Sequence, residues 1–271
     1  MNQPIKIHGG KHYLAAKIVA LFPRRYLTYC EPYFGGGSVL LRLRPEGHNE
    51  IVNDLDGELM SFWDALSIPK MYAEMQECLK KVPFSEEVFA NAIDGNHFVA
   101  APVGVRRAIN FFITARMSLA GRRKDFTAIT SKRVRRGMNE QVSAWLTAID
   151  GLAEVHERVR RVLMLNRDAI DLIGQIDNKQ TVFYCDPPYL HETRSTTKEY
   201  GRFEMTHEGH VVLLNTLSEI EGKFLLSGYD SALYREYAKQ NKWKVHKFTV
   251  PNSAASGKTK KNMVECVWTN Y

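Results

Sequence analysis

A chain of 271 residues, 44% apolar and 25% charged, can bury a sizeable core as one catalytic domain with an insertion or as two small domains. Its longest purely apolar stretches, such as Phe111 to Ile113 and Val211 to Leu214, are too short to cross a bilayer. Met1 to Ile7 also lacks a secretory signal, so a cytoplasmic protein without a membrane partner is expected. Cys30, Cys78, Cys185 and Cys266 show no C-x-x-C spacing, which argues against disulfides and zinc, while a net charge of +7 fits a polyanionic partner.

Gly9-Gly10 reads as a loop before a helix over Lys11 to Phe22, where Leu14, Ile18, Leu21 and Phe22 recur at helical spacing and Pro23 ends the run. Leu27 to Cys30 predicts a short strand, Pro32 and Gly35-Gly36-Gly37 a turn, and Ser38 to Leu43 the first turns of a helix. Glu50 to Val52 predicts the next strand, closed by Asn53-Asp54, and Glu58 to Leu66 a helix. From about 69 to 150 the pattern turns mainly helical, over Met71 to Leu79, Glu86 to Ile93, Val105 to Met117 and Gln141 to Leu152. Within it Ser118 to Asn139 is polar and basic, with Gly121 and Gly137 marking a hairpin or a mobile loop.

Alternation resumes with a strand at Val162 to Leu165, a helix at Ala169 to Ile176, the strand Thr181 to Cys185, a helix at His207 to Ile220 and the strand Lys223 to Ser227. A helix at Ser231 to Gln240 and strands at Lys244 to Val250 and Val264 to Thr269 follow. This order predicts an α/β fold with a mostly parallel sheet and an antiparallel edge pair, formed by residues 1–68 and 151–271, with 69–150 as a mainly helical inserted lobe.

Asp186-Pro187-Pro188-Tyr189 follows an apolar run, and ligands of open α/β sheets bind beyond the carboxyl ends of strands. Two prolines stiffen that turn, so the Asp186 carboxylate and the Pro187 carbonyl can aim two acceptors at one group while Tyr189 offers a ring for stacking. An exocyclic amine with two N–H bonds matches this pair, and holding both hydrogens prepares a poor nucleophile to attack. The bland alternative is a strand capped by a proline-rich turn. Glu31-Pro32-Tyr33-Phe34-Gly35-Gly36-Gly37-Ser38 gives a second strand end where glycines let a ligand approach, and it is neither G-x-G-x-x-G nor a phosphate loop. Asp54 ends the next strand, where an acidic residue binds a ribose diol in nucleotide-type sites, although it could equally cap the following helix. Arg116, Arg122, Arg123, Lys124, Lys132, Arg133, Arg135 and Arg136 form one basic cluster and Lys258, Lys260 and Lys261 another, with solvated surface as the plain alternative.

With Gly9-Gly10-Lys11, Glu31 to Ser38, Asn53-Asp54, Asp186 to Tyr189, Leu226 to Asp230 and Val264 to Tyr271 in this order, the chain resembles the Dam-type, or D12-class, DNA adenine-N6 methyltransferases. The resemblance implies a Rossmann-like methyltransferase fold with S-adenosylmethionine as cofactor, held by Lys11, Glu31, Phe34, Gly35, Gly36, Gly37, Asp54, Asp168 and Asp186, and no metal. It makes Asp186, Pro187, Pro188 and Tyr189 the catalytic motif, and residues 69–150 the target-recognition domain. Asp168 departs from the pattern, since the family usually has an aromatic residue after this acid, and Ile7 stands where a large aromatic is common. The implied partner is double-stranded DNA, contacted by Arg116, Arg122, Arg123, Lys124 and Arg133. The polar loop His191 to Phe203, with Arg194 and Lys198, follows the catalytic motif and is expected to close over the DNA once the base is flipped, with an ordinary surface loop as the plain alternative. A monomer, with or without a cognate restriction nuclease, is the family expectation. Rival readings are an amino-methyltransferase acting on RNA, protein amide or cytosine N4, and a non-catalytic DNA-binding protein that keeps the fold.

Overall fold

The computed structural model describes residues 1–7, 10–45, 47–96, 99–194, 201–251 and 262–271. Its described residues form a seven-stranded sheet of β1 (Thr28–Glu31), β2 (Asn49–Asn53), β5 (Leu163–Leu165), β6 (Thr181–Cys185), β7 (Lys223–Tyr229), β8 (Lys244–Pro251) and β9 (Asn262–Thr269), in the order β5-β2-β1-β6-β7-β9-β8. A separate two-stranded ribbon joins β3 (Val134–Arg135) to β4 (Met138–Asn139). β1 is parallel to β2 and β6, β6 is parallel to β7, and β9 runs antiparallel to both β7 and β8. The fold is thus the expected mixed α/β class, mostly parallel with an antiparallel edge.

Contacts divide the chain into two compact units, Met1–Ala20, Gly35–Glu46 and Asp56–Asn166 in the first, and Leu21–Phe34, Gly47–Leu55 and Arg167–Tyr271 in the second. In the second unit β6 is buried along its whole length, because a parallel strand covered on both faces has no polar alternation. Its helices are α8 (Ala169–Ile176), α9 (His207–Glu219) and α10 (Ala232–Gln240), capped by the side chains of Asp168, Thr206 and Ser231.

The first unit holds the short α1 (Ala15–Val19), then α2 (Gly57–Ser67), α3 (Pro69–Leu79), α4 (Glu86–Ile93), α5 (Val103–Met117), α6 (Glu140–Asp150) and α7 (Leu152–Val159). Phe62 of α2 stacks on Phe111 and Phe112 of α5, and Trp145 of α6 packs on Phe112 while its indole N–H donates to the Val82 carbonyl. The β3–β4 ribbon turns through Arg136 and Gly137, both at positive φ (54° and 75°), the backbone a two-residue hairpin favours, so 134–139, the end of the basic segment, is a hairpin.

Three elements differ from the sequence reading. α1 covers Ala15–Val19 rather than Lys11 to Phe22, because Leu14 stands at its N-cap without a capping side chain and Pro23 disfavours helical backbone before it. Ser38 to Leu43 yields only a 3₁₀ turn at Leu40–Arg42, since Leu43 is already extended. The helix expected over Gln141 to Leu152 stops at Asp150, and α7 begins beyond Gly151.

Candidate active site

The second unit gathers carboxylates at the carboxyl ends of neighbouring parallel strands. β1 pairs with β6 in the register Thr28↔Thr181 to Cys30↔Phe183, so Glu31 at the end of β1 and Asp186 just after β6 share one edge of the sheet. On its other side β1 pairs with β2 up to Glu31↔Val52, which brings Asp54 to the same edge. The chain leaves β1 toward β2 and leaves β6 toward β7, so the sheet order reverses between β1 and β6, the position where open α/β sheets bind nucleotides.

Asn53 fixes this edge. Its side-chain amide donates to the carbonyls of Pro32 and Arg167, both at 3.0 Å, and its carbonyl oxygen accepts the Arg167 N–H at 2.9 Å. It is fully buried, and its backbone carbonyl accepts the Phe34 N–H at 2.9 Å. Asp168 follows Arg167, is exposed, and caps α8 by accepting from Ile170 and Asp171 at 2.8 and 3.2 Å. The Tyr33 phenol is pushed well up, first by burial and then by Cys185, Tyr234, Asp168 and Asp54, which places both aspartates in its electrostatic reach. The N-cap of α2 is Asp56 and not the half-buried Asp54.

Glu31 is buried and accepts a short hydrogen bond from the Tyr29 hydroxyl. The Tyr184 hydroxyl, 3.0 Å from Ser227 Oγ, is pushed well up by burial and then by Asp186, with Glu31 and Glu265 adding to the effect. Asp186 is half-buried, and burial together with its charge raises the Cys185 thiol. The Tyr189 ring meets Tyr229 edge to face, 4.7 Å between centroids at 80°, and its hydroxyl donates to the buried Glu265 at 3.4 Å. Beside Tyr229 lies an open depression bordered by Glu192, Thr193, Asp230, Ser231, Met263 and Val264, a lining both polar and apolar.

Lys11 and the glycine turn belong to the first unit. Lys11 is buried, 4% exposed, a state that a lysine ammonium keeps only with a partner. Gly35 and Gly37 have φ of 51° and 68°, in the left-handed region, and the Trp63 indole N–H holds the Gly35 carbonyl at 3.0 Å. Gln3 donates to the Gly36 carbonyl at 3.0 Å and to Ser38 Oγ, and a Cβ on Gly36 would lie 2.7 Å from the Gln3 amide nitrogen.

The basic residues separate by environment. Arg122, Lys124 and Arg133 are exposed, with Arg133 3.5 Å from Glu140. Arg123 is partly covered, 3.4 Å from Asp56 and 4.3 Å over the Phe111 ring. Arg116 donates to the Ala144 carbonyl at 3.1 Å, and burial pushes its pKa down to about 10, so much of its side chain serves the fold. Arg194 is buried against Glu204, which also meets His191. Lys198, Gly9 and the cluster Lys258, Lys260 and Lys261 lie outside the described residues. All four cysteines are free thiols, and among the described residues no His, Cys, Asp or Glu cluster is arranged for a metal ion, nor is any helix long and apolar enough to cross a membrane.

Sequence reasoning did not single out Asn53, Tyr33, Glu265, Tyr229 or Gln3 for these roles. Glu265 carried the most usable signal, a carboxylate inside the apolar run Met263 to Trp268.

A mostly parallel α/β sheet whose carboxyl edge collects acidic residues at the switch point, one of them opening the Asp-Pro-Pro-Tyr turn, defines a methyltransferase of Rossmann-like fold. Residues 8–250 match the model of the D12 class N6 adenine-specific DNA methyltransferases, and the chain belongs to that family. A DNA adenine methylase of Salmonella typhimurium is 24% identical over 270 residues, 96% of this chain and 92% of its own. A type II methyltransferase of Lactococcus lactis subsp. cremoris is 23% identical, spanning 97% of this chain and 93% of its own. A type II methyltransferase of a Paramecium bursaria Chlorella virus, NC1A, is 21% identical over 91% of this chain and 93% of its own.

Proposed function

We propose that this chain transfers a methyl group from S-adenosylmethionine to the N6 amine of an adenine flipped out of duplex DNA, directly and without a covalent enzyme intermediate. The observation that carries the reading is the pairing of β1 with β6, which sets Glu31 and the Asp186-Pro187-Pro188-Tyr189 turn on one edge at the switch point of the sheet.

The residues fit the cofactor. Its ammonium and ribose diol call for carboxylates, which Glu31 and Asp54 offer, while Asp168 is assigned to the adenine and Lys11 to the carboxylate end. Gly35 and Gly37, at positive φ, and Gly36, backed by Gln3, give a turn that a ligand can approach closely, next to Phe34. When bound, S-adenosylmethionine supplies an electrophilic methyl on positively charged sulfur. The chain's own work is to hold the amine. The Asp186 carboxylate and the Pro187 carbonyl accept the two N6 hydrogens, Tyr189 stacks on the base, and the Asp186 charge stabilises positive charge developing on N6.

Residues 69–150 are assigned to target recognition, with Arg122, Arg123, Lys124 and Arg133 on DNA and the exposed hairpin of Val134 and Arg135 on the same basic segment. Arg116, half-buried and bonded to the Ala144 carbonyl, and Arg194, its side chain buried against Glu204, fit DNA contact only if those bonds open.

The test is expression in cells lacking adenine methylation, followed by mass detection of N6-methyladenine and long-read mapping, with purified protein offered DNA, RNA and protein beside labelled cofactor. Methylation of one DNA sequence is expected from wild type and none from Asp186→Ala, which should stay folded and bind DNA. Label entering RNA or protein instead, or an active Asp186→Ala, contradicts the reading.

A further inference from the structure

Glu265 is 3% exposed inside the apolar run Met263 to Trp268 of β9, and the steps assigned above leave it without a task. A carboxylate out of water is costly unless it is hydrogen-bonded, so an apolar residue would suit this strand better on burial alone. In the β7–β9 ladder Glu265 stands directly opposite Tyr229, and Val267 stands opposite Ser227. Residues two apart on a strand share a face, as do residues directly opposite on paired strands. Ser227, Tyr229 and Glu265 therefore lie on one face of the sheet.

Two tyrosines that bracket Asp186 are laid on that face. Tyr184, two positions before it, is buried with its hydroxyl 3.0 Å from Ser227 Oγ. Tyr189, three positions after it and 8% exposed, meets the Tyr229 ring edge to face and donates its hydroxyl to Glu265 Oε2 at 3.4 Å. That contact is longer than the roughly 2.5 to 3.0 Å of a closed O–H···O bond, as hydrogen bonds in catalytic sites often are before substrate arrives. The proline pair stiffens the backbone of the turn, which leaves the side-chain torsions of Tyr189 to be set. Tyr229 limits the tilt of the ring and Glu265 holds its hydroxyl end, so one cross-strand pair fixes the plane that Tyr189 offers for stacking.

We propose that Glu265 is a positioning residue for methyl transfer, holding the Tyr189 hydroxyl so that a base stacked on that ring presents its amine to Asp186 and the Pro187 carbonyl. This rests on the methyltransferase reading above. A tilted stacking plane carries the amine away from its two acceptors, and a misplacement of about 1 Å can cost about 100-fold in rate. The defect is expected in the chemical step rather than in binding.

Single-turnover methylation of a mapped DNA site would be compared for wild type, Glu265→Leu, Glu265→Gln, Tyr189→Phe and the Tyr189→Phe, Glu265→Leu double variant, with cofactor and DNA affinities measured separately. Glu265→Leu should slow transfer about tenfold with both affinities within twofold of wild type. Tyr189→Phe, which removes only the hydroxyl, should slow it about equally, and the double variant should be no slower than the slower single. Glu265→Gln keeps an acceptor at the same reach and should recover to within threefold. In carbon-13 spectra of tyrosine-labelled protein, the Tyr189 Cζ signal, identified by its loss in Tyr189→Phe, should move in Glu265→Leu and move less in Glu265→Gln. Should Glu265→Leu fail to fold, the Tyr189→Phe rate and the Cζ signal in Glu265→Gln still decide. An unchanged rate in Glu265→Leu or Tyr189→Phe, a glutamine variant as slow as leucine, a double variant slower than either single, or a Cζ signal indifferent to residue 265 overturns the proposal. A wild type that methylates no DNA overturns the functional reading and the kinetic claim together, while the Cζ signal still reports whether Glu265 holds the hydroxyl.

Discussion

The Asn53 amide is saturated on three backbone groups, the carbonyls of Pro32 and Arg167 and the Arg167 N–H, inside a fully buried site. Replacing it with leucine keeps the volume but strands those groups, at about 1 to 3 kcal/mol for each one left unsatisfied. Asn53→Leu is expected to cost about 3 kcal/mol in urea unfolding and to weaken cofactor binding, because Asp54 and Asp168 are the residues next to the bonded backbone. An unchanged midpoint would mean that water replaces the amide. His210 gives a residue-scale prediction with a sign. Its folded pKa of about 4 lies below its ordinary value, so the unfolded chain binds the extra proton first as pH falls. The stability it preserves is complete above about pH 6.5 and is lost as pH falls toward 4, by up to about 3 kcal/mol. Tyr234, His207, Arg194 and His191 lie around it, and the last three add to its resistance to protonation. Urea midpoints of wild type and His210→Gln between pH 7 and 4.5 should converge at the acid end, because the glutamine has no proton to gain.

At the scale of elements, the glycine turn makes a demand that side chains cannot meet. Gly37 at φ 68° sits where an L residue costs about 1 to 2 kcal/mol. If the turn cradles the cofactor, Gly37→Ala should lower its affinity by about tenfold in calorimetry, with the helices of the first unit unaffected. The elements most legible in the sequence were those with one clear period and clean ends. α8 and β6 fall on their expected residues because Asp168 and the proline pair after Cys185 punctuate them, and α4 does so on its helical spacing alone. α7 stayed hidden because its buried face includes His156 and Arg158, which break the apolar stripe and are satisfied by the Leu66 and Leu40 carbonyls at 2.6 and 3.1 Å. The acidic residues at the strand ends were readable for a similar reason, since each follows an apolar run. The network that supports them was not, because Asn53 to Arg167 and Tyr189 to Glu265 span 114 and 76 positions, and pattern reading sees only neighbours.

For the whole molecule, the formal charge of +7 resolves into basic residues with different work to do. Arg116 and Arg194 are drawn inward onto Ala144 and Glu204, whereas Lys124 and Arg133 stand exposed on the segment between α5 and α6. Only cations that reach phosphates displace counterions, and each contributes about 0.9 to the slope of log affinity against log salt on duplex DNA. Replacing Lys124 and Arg133 together with serine should therefore reduce that slope by about 2 and weaken binding to all sequences alike, provided both touch phosphate. A base-reading arginine behaves otherwise. Its loss leaves the slope nearly intact and relaxes preference at one position of the mapped site, worth about 1 to 3 kcal/mol. Salt titrations of the two single variants, read beside methylation maps, assign each residue to one class, and a double variant with an unaltered slope would remove this segment from the DNA interface.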